Sequence, residues 1–134
     1  MLTRRFKRGT AMAEFGLIAL PCLTILFAVM NFAMALYCYD FVGYSAQAGV
    51  RYAMVHGSTA NVVVSASDMQ TYVKGLVAGG MDNSLVTVTT TWTPNNKPGS
   101  VVTVTVGYTF KPLTGLVSKV NIVMSQTAAM VISQ

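Results

Sequence analysis

Histidine, acid and cysteine are scarce in this chain of 134 residues, and their scarcity removes most enzymatic chemistry before any motif is sought. His56 is the single histidine. The four acids, Glu14, Asp40, Asp68 and Asp82, stand apart from one another, and both cysteines, Cys22 and Cys38, fall within an apolar stretch. No nucleophile–base pair, zinc-ligand spacing, paired carboxylates or phosphate-binding glycine loop can be assembled from this set. Asp40, Asp68 and Asp82 sit in helix-start or turn contexts, where single aspartates serve as caps. The sequence therefore predicts a protein that is not an enzyme and holds no metal or cofactor.

The longest absence is of charge. From Phe15 to Tyr39 there are 25 residues without Asp, Glu, Lys, Arg or His. As a helix they would reach about 37 Å at ~1.5 Å per residue, more than the ~30 Å of a bilayer's hydrocarbon core. Arg4, Arg5, Lys7 and Arg8 precede this run with no acid among them. Short flanks rich in Lys and Arg resist translocation, so the N-terminus is expected in the cytoplasm and the C-terminal part across the membrane. The net charge of +5 divides accordingly: four basic groups lie in residues 1–9, and five basic against four acidic groups lie beyond. The basic balance belongs to a leader, and no nucleic-acid surface is expected.

Glu14 stands just inside the apolar edge. An ionised carboxylate drawn into lipid costs on the order of a few kcal/mol, which makes such residues functional candidates. The plainer alternative is an acid in a helix's first turn that complements the dipole, worth under about 1 kcal/mol. Position alone leaves both open.

The basic leader, Gly9, the sequence Thr10-Ala11-Met12-Ala13-Glu14 and the apolar run after Phe15 resemble the processing motif of type IV prepilins. The later segments, including Gly49-Val50-Arg51-Tyr52-Ala53 before His56-Gly57 and the Thr-Val strands, are similar in outline to the TadE-like minor pilins and pseudopilins of tight-adherence (Flp-type) pili. The resemblance implies that a membrane prepilin peptidase cuts after Gly9 and that Thr10 becomes the new N-terminus, often N-methylated in such proteins. It further implies that Glu14 pairs with the Thr10 amine of a neighbouring subunit, each charge compensating the other in lipid. An aromatic in the place of Phe15 and a helix-kinking proline such as Pro21 also occur in the family. The implied partners are the peptidase, other pilin subunits, an inner-membrane assembly platform and the lipid bilayer. The family also implies minor-pilin roles in assembly, adhesion or secretion, because the chain is longer than the small major Flp pilins.

Two rivals remain open at this level. A basic start, an apolar stretch and Ala33-Met34-Ala35 also suit a secretory signal peptide cut after Ala35, although the run is long and Glu14 is unusual there. An uncleaved single-pass anchor holding a periplasmic scaffold domain is the other. On one helix Cys22 and Cys38 stand about 24 Å apart and cannot bridge, so they are expected to be lipid-facing or packing residues. Asn31 is expected to bond a neighbouring helix or its own backbone.

Beyond the apolar run the helix is expected to continue to His56-Gly57, about 70 Å from Thr10 if unbroken. His56 would lie near the negative pole and Gly57 in a left-handed cap. Tyr37 and Tyr39 suit an interfacial belt. Gln47 and Arg51 share a face, with Arg51 either solvated or anchoring a neighbour.

Ser67-Asp68-Met69-Gln70 reads as a capping box. It opens a helix whose stripe is Met69, Tyr72, Val73, Leu76 and Val77, stopped by Gly79-Gly80. Leu85–Trp92 and a segment with Val102, Val104, Val106, Tyr108 and Phe110 on one side form a hairpin about a polar turn at 93–100. Lys111–Leu116 interrupts the pattern, and Val120–Ile132 resumes it as a third strand.

The predicted fold is α+β and pilin-like: a long N-terminal transmembrane helix, a second amphipathic helix and a small antiparallel β-sheet of three or more strands. The predicted division is a leader at 1–9, a long helix at 10–57 with its membrane span at about 15–39, and a small exported domain at 58–134. The expected location is the inner membrane, single-pass, with incorporation into a pilus.

Overall fold

A computed structural model describes residues 3–112 and 121–133. In chain order they form α1 (Thr3–Met54), α2 (Ala66–Gly75), a 3-10 turn at Asn83–Leu85, and strands β1 (Val86–Thr93), β2 (Val101–Phe110) and β3 (Ile122–Val131). This is the α+β order that the sequence predicts. The chain divides into two compact units, residues 1–34 and 35–134, and α1 contributes to both.

In the first unit, from Phe15 to Met34, α1 is apolar around its whole circumference. Phe15, Leu17, Ile18 and Leu20 are each 67–77 % exposed, and no residue of the most apolar window, of mean hydropathy 2.2, is buried. Large apolar side chains gain about 1.5–3 kcal/mol each on leaving water. Ten or so of them would outweigh the ~5–15 kcal/mol that stabilises an ordinary domain, so this surface must be covered by lipid or by other helices. The helix is long and apolar enough to cross a membrane. Between Phe15 and Met34, Thr24 and Asn31 turn their polar groups onto the backbone: Thr24 Oγ1 donates to the Leu20 carbonyl at 2.8 Å, and Asn31 Nδ2 to the Phe27 carbonyl at 3.0 Å.

In the second unit the strands form one antiparallel sheet in the order β1-β2-β3. Register places Val88 opposite Val106 and Val104 opposite Ala128. Because side chains alternate across a strand, Val86, Val88, Val102, Val104, Val106, Tyr108 and Phe110 all enter the core, while the opposite face is rich in exposed threonine, including Thr87, Thr89, Thr91 and Thr127. The core face is covered by α2 and by the last part of α1, whose Cys38, Phe41, Val42, Ser45, Ala46, Val50 and Ala53 are buried at helical spacing. Gly49 lies on the same side. A Cβ there would stand 3.3 Å from side-chain atoms of Met69, Val73 and Val104, so a larger residue would crowd the approach of α1 to both α2 and β2 at that point. The buried hydroxyl of Ser45 donates to the Phe41 carbonyl at 2.7 Å.

Several local expectations are corrected. α1 ends at Met54, not at Gly57, and the described residues with positive φ are Gly79, Gly80 and Gly99, so Gly57 is no left-handed cap. The Met54 carbonyl, left over at the helix end, accepts instead from the Ser133 backbone at 3.1 Å. His56 does meet the negative pole, with Nδ1 2.8 Å from the Tyr52 carbonyl.

The capping box of α2 is two residues earlier than predicted. Ser65 is the N-cap, its Oγ accepting from the Asp68 backbone, and the Asp68 carboxylate accepts from the Ser65 backbone at 3.0 Å. The helix also stops at Gly75, and Gly79 and Gly80 shape a later turn. The expected span of 15–39 overruns the lipid-type surface, since Cys38 is fully buried in the second unit. The interruption expected at Leu113–Leu116 and the strand start at Val120 lie outside the described residues, and β3 begins at Ile122.

Candidate functional site

Gly9, Thr10, Glu14 and Phe15 all lie on α1, which begins at Thr3, so Arg4, Arg5, Lys7 and Arg8 occupy the turns ahead of them. The Gly9–Thr10 bond is therefore inside a helix. A Cβ on Gly9 would meet nothing within 4 Å, so packing does not require glycine there.

Glu14 follows Thr10 by four residues and shares its face. A shallow exposed groove is lined by Thr10, Ala13, Glu14, Leu17 and Ile18, one stripe at i, i+3, i+4, i+7 and i+8. Phe15 projects about 100° around the helix from Glu14 and is 74 % exposed. Pro21 stands seven residues beyond Glu14 and lacks the N–H that would bond the Leu17 carbonyl. The arrangement offers a carboxylate on an uncharged, uncovered surface, one turn past the bond that the leader precedes. It can accept a cation from outside the chain. Among the described residues no three His, Cys, Asp or Glu side chains cluster as metal ligands would.

A second concavity, absent from the sequence-level expectations, lies in the second unit between α1 and α2. Tyr44, Gln47, Ala48, Arg51, Tyr52 and Tyr72 line it. The Tyr52 and Tyr72 rings stack at 4.2 Å and 8°, and His56 leans on the other side of Tyr52 at 4.2 Å. The spacing of Tyr44, Gln47 and Arg51 signals a shared helix face. Nothing local signals that Tyr72 of α2 joins them.

Tyr37 and Tyr39 are engaged by protein. The Tyr37 hydroxyl donates to the Ala78 carbonyl at 3.2 Å, and the Tyr39 hydroxyl accepts from Gln126 at 2.6 Å. Asp82 caps the 3-10 turn through Ser84, whose side-chain hydrogen bond holds the Asp82 carboxyl below the usual carboxylate range. Tyr108 receives the Asp82 N–H at 3.4 Å, and burial raises its phenol pKa. Both serve the fold. No protein-family model, curated protein or solved structure matches this chain.

Proposed function

We propose that this chain is a minor pilin-type subunit of a tight-adherence (Flp-type) pilus, a structural role and not an enzymatic one. It is made with its N-terminus in the cytoplasm and its second unit outside the inner membrane. A prepilin peptidase cuts it after Gly9, and the assembly platform then draws it out beside other pilin subunits. The observation that carries this is the exposed Glu14 carboxylate, four residues past Thr10 and directly ahead of 25 uncharged residues of a helix that continues into a folded unit.

The chemistry follows from the charges. Cutting the Gly9–Thr10 bond removes four basic groups with the leader and leaves one ammonium at Thr10. Glycine within a helix costs about 1 kcal/mol relative to alanine, so the backbone opens more readily at Gly9 for a peptidase than at its neighbours. In lipid, the new ammonium of one copy and the Glu14 carboxylate of another each lack solvation, and pairing offsets both penalties. The uncovered apolar surface supplies the remainder of the contact as helices pack side by side.

One observation favours a second possibility, a domain secreted after cleavage at Ala35: the boundary between the two compact units falls between Met34 and Ala35. The two differ in what Glu14 does. In the pilus account Glu14→Ala leaves cleavage after Gly9 intact and reduces incorporation into filaments. Filaments of normal length and number from that variant would contradict the pairing.

A further inference from the structure

The side of α1 that the second unit's core does not use carries its own pattern. Asp40, Gly43, Tyr44, Gln47, Ala48 and Arg51 follow one another at i, i+3, i+4, i+7, i+8 and i+11, and none of them is buried. Asp40 and Arg51 mark the two ends. Eleven residues are three turns, about 16 Å along the axis and within about 20° of the same direction. The two charges therefore face the same way and stand too far apart to pair within one chain. Among the described residues neither has an ion-pair or hydrogen-bond partner, and Arg51 borders the concavity formed with Tyr44, Tyr52 and Tyr72.

An acid at one end of a neutral stripe and a base at the other complement the same stripe displaced by the distance between them. We propose that a second copy of the chain lies along this face, parallel and shifted by about three helical turns, with Asp40 of one copy meeting Arg51 of the next. This rests on the pilus account, in which copies drawn out of the bilayer pack side by side in one direction and are no longer held at one depth by the apolar run. An in-register parallel pair would instead set Asp40 against Asp40 and Arg51 against Arg51, which is repulsive. The shifted contact is heterologous: each copy added leaves one free Asp40 and one free Arg51, so the pairing propagates rather than closing on a dimer.

The test uses the full chain in filaments sheared from cells, with Cys22→Ser to silence the exposed thiol and Cys38 left buried. Leu36 and Gln47 are also eleven residues apart and both exposed. With a short bifunctional maleimide, a chain carrying Leu36→Cys and Gln47→Cys together should give a ladder of multimers, whereas either alone should stay monomeric. In the two-cysteine chain Asp40→Arg or Arg51→Asp should each weaken the ladder about fivefold, as loss of a well-placed surface pair implies, and the two reversals combined should restore it. Dimers from Gln47→Cys alone, or a ladder indifferent to the single reversals, would overturn the proposal. So would a doubly reversed chain as weak as the singles, which would point to an acidic ligand on Arg51. Rescue in a chain that still begins at Met1 would sustain this contact and contradict cleavage. Filaments lost on Glu14→Ala yet indifferent to Asp40→Arg would do the reverse.

Discussion

The hydroxyl of Tyr39 accepts a hydrogen bond of 2.6 Å from the side-chain amide of Gln126, joining α1 to β3 across 87 positions of sequence. One residue earlier Cys38 is wholly buried, and Tyr37 bonds the Ala78 carbonyl. From here onward α1 is a core element of the second unit. Tyr39→Phe keeps the ring and removes the bond, so it should cost about 0.5–1.5 kcal/mol. For a unit of about 100 residues that lowers the melting midpoint by several degrees, measurable by circular dichroism in detergent.

Gly49 should tolerate little. A methyl at 3.3 Å from Met69, Val73 and Val104 is tight on three sides, and only the methionine yields easily. In Gly49→Ala the gain of about 1 kcal/mol in helix propensity is set against that crowding, and the net change should be small. Gly49→Leu has no such compensation and should destabilise by about 1–3 kcal/mol through overpacking, read as a lower denaturation midpoint.

The start of α2 should respond to acid. The Ser65 side chain and backbone both donate to the Asp68 carboxylate and hold its pKa below the ordinary range. A depressed folded pKa contributes stability that is complete above the unfolded value near 4 and is lost as pH falls through the lower folded value. The difference in melting midpoint between the native chain and Asp68→Asn should therefore be present at neutral pH and shrink below about pH 4. Ser65→Ala should cost about 1 kcal/mol at neutral pH.

Much of the fold was legible because single elements state their own periodicity. Val102, Val104, Val106, Tyr108 and Phe110 alternate without a break, and Met69 with Val73 marks the inner side of α2. What failed depended on distant contacts. Ser65 and Ser67 each precede a polar residue by three positions. The choice fell to Ser65, whose flanking Val64 and Met69 are both buried in the positions of a hydrophobic staple. The last carbonyl of α1, that of Met54, is capped by Ser133, 79 residues downstream. Hydropathy could not separate lipid from protein core around Cys38, since both favour apolar side chains. At the candidate site, Gly9, Thr10 and Glu14 were visible as a spacing along one helix. The Tyr52–Tyr72 stack was not, because it depends on how α2 docks.

The most direct test of the account is the N-terminus of the mature protein, read by intact mass and N-terminal sequencing of material isolated from cells. The account predicts a chain beginning at Thr10, with or without a methyl group on its amine. An assembled, functional protein that still begins at Met1, or one that begins at Leu36, would contradict it.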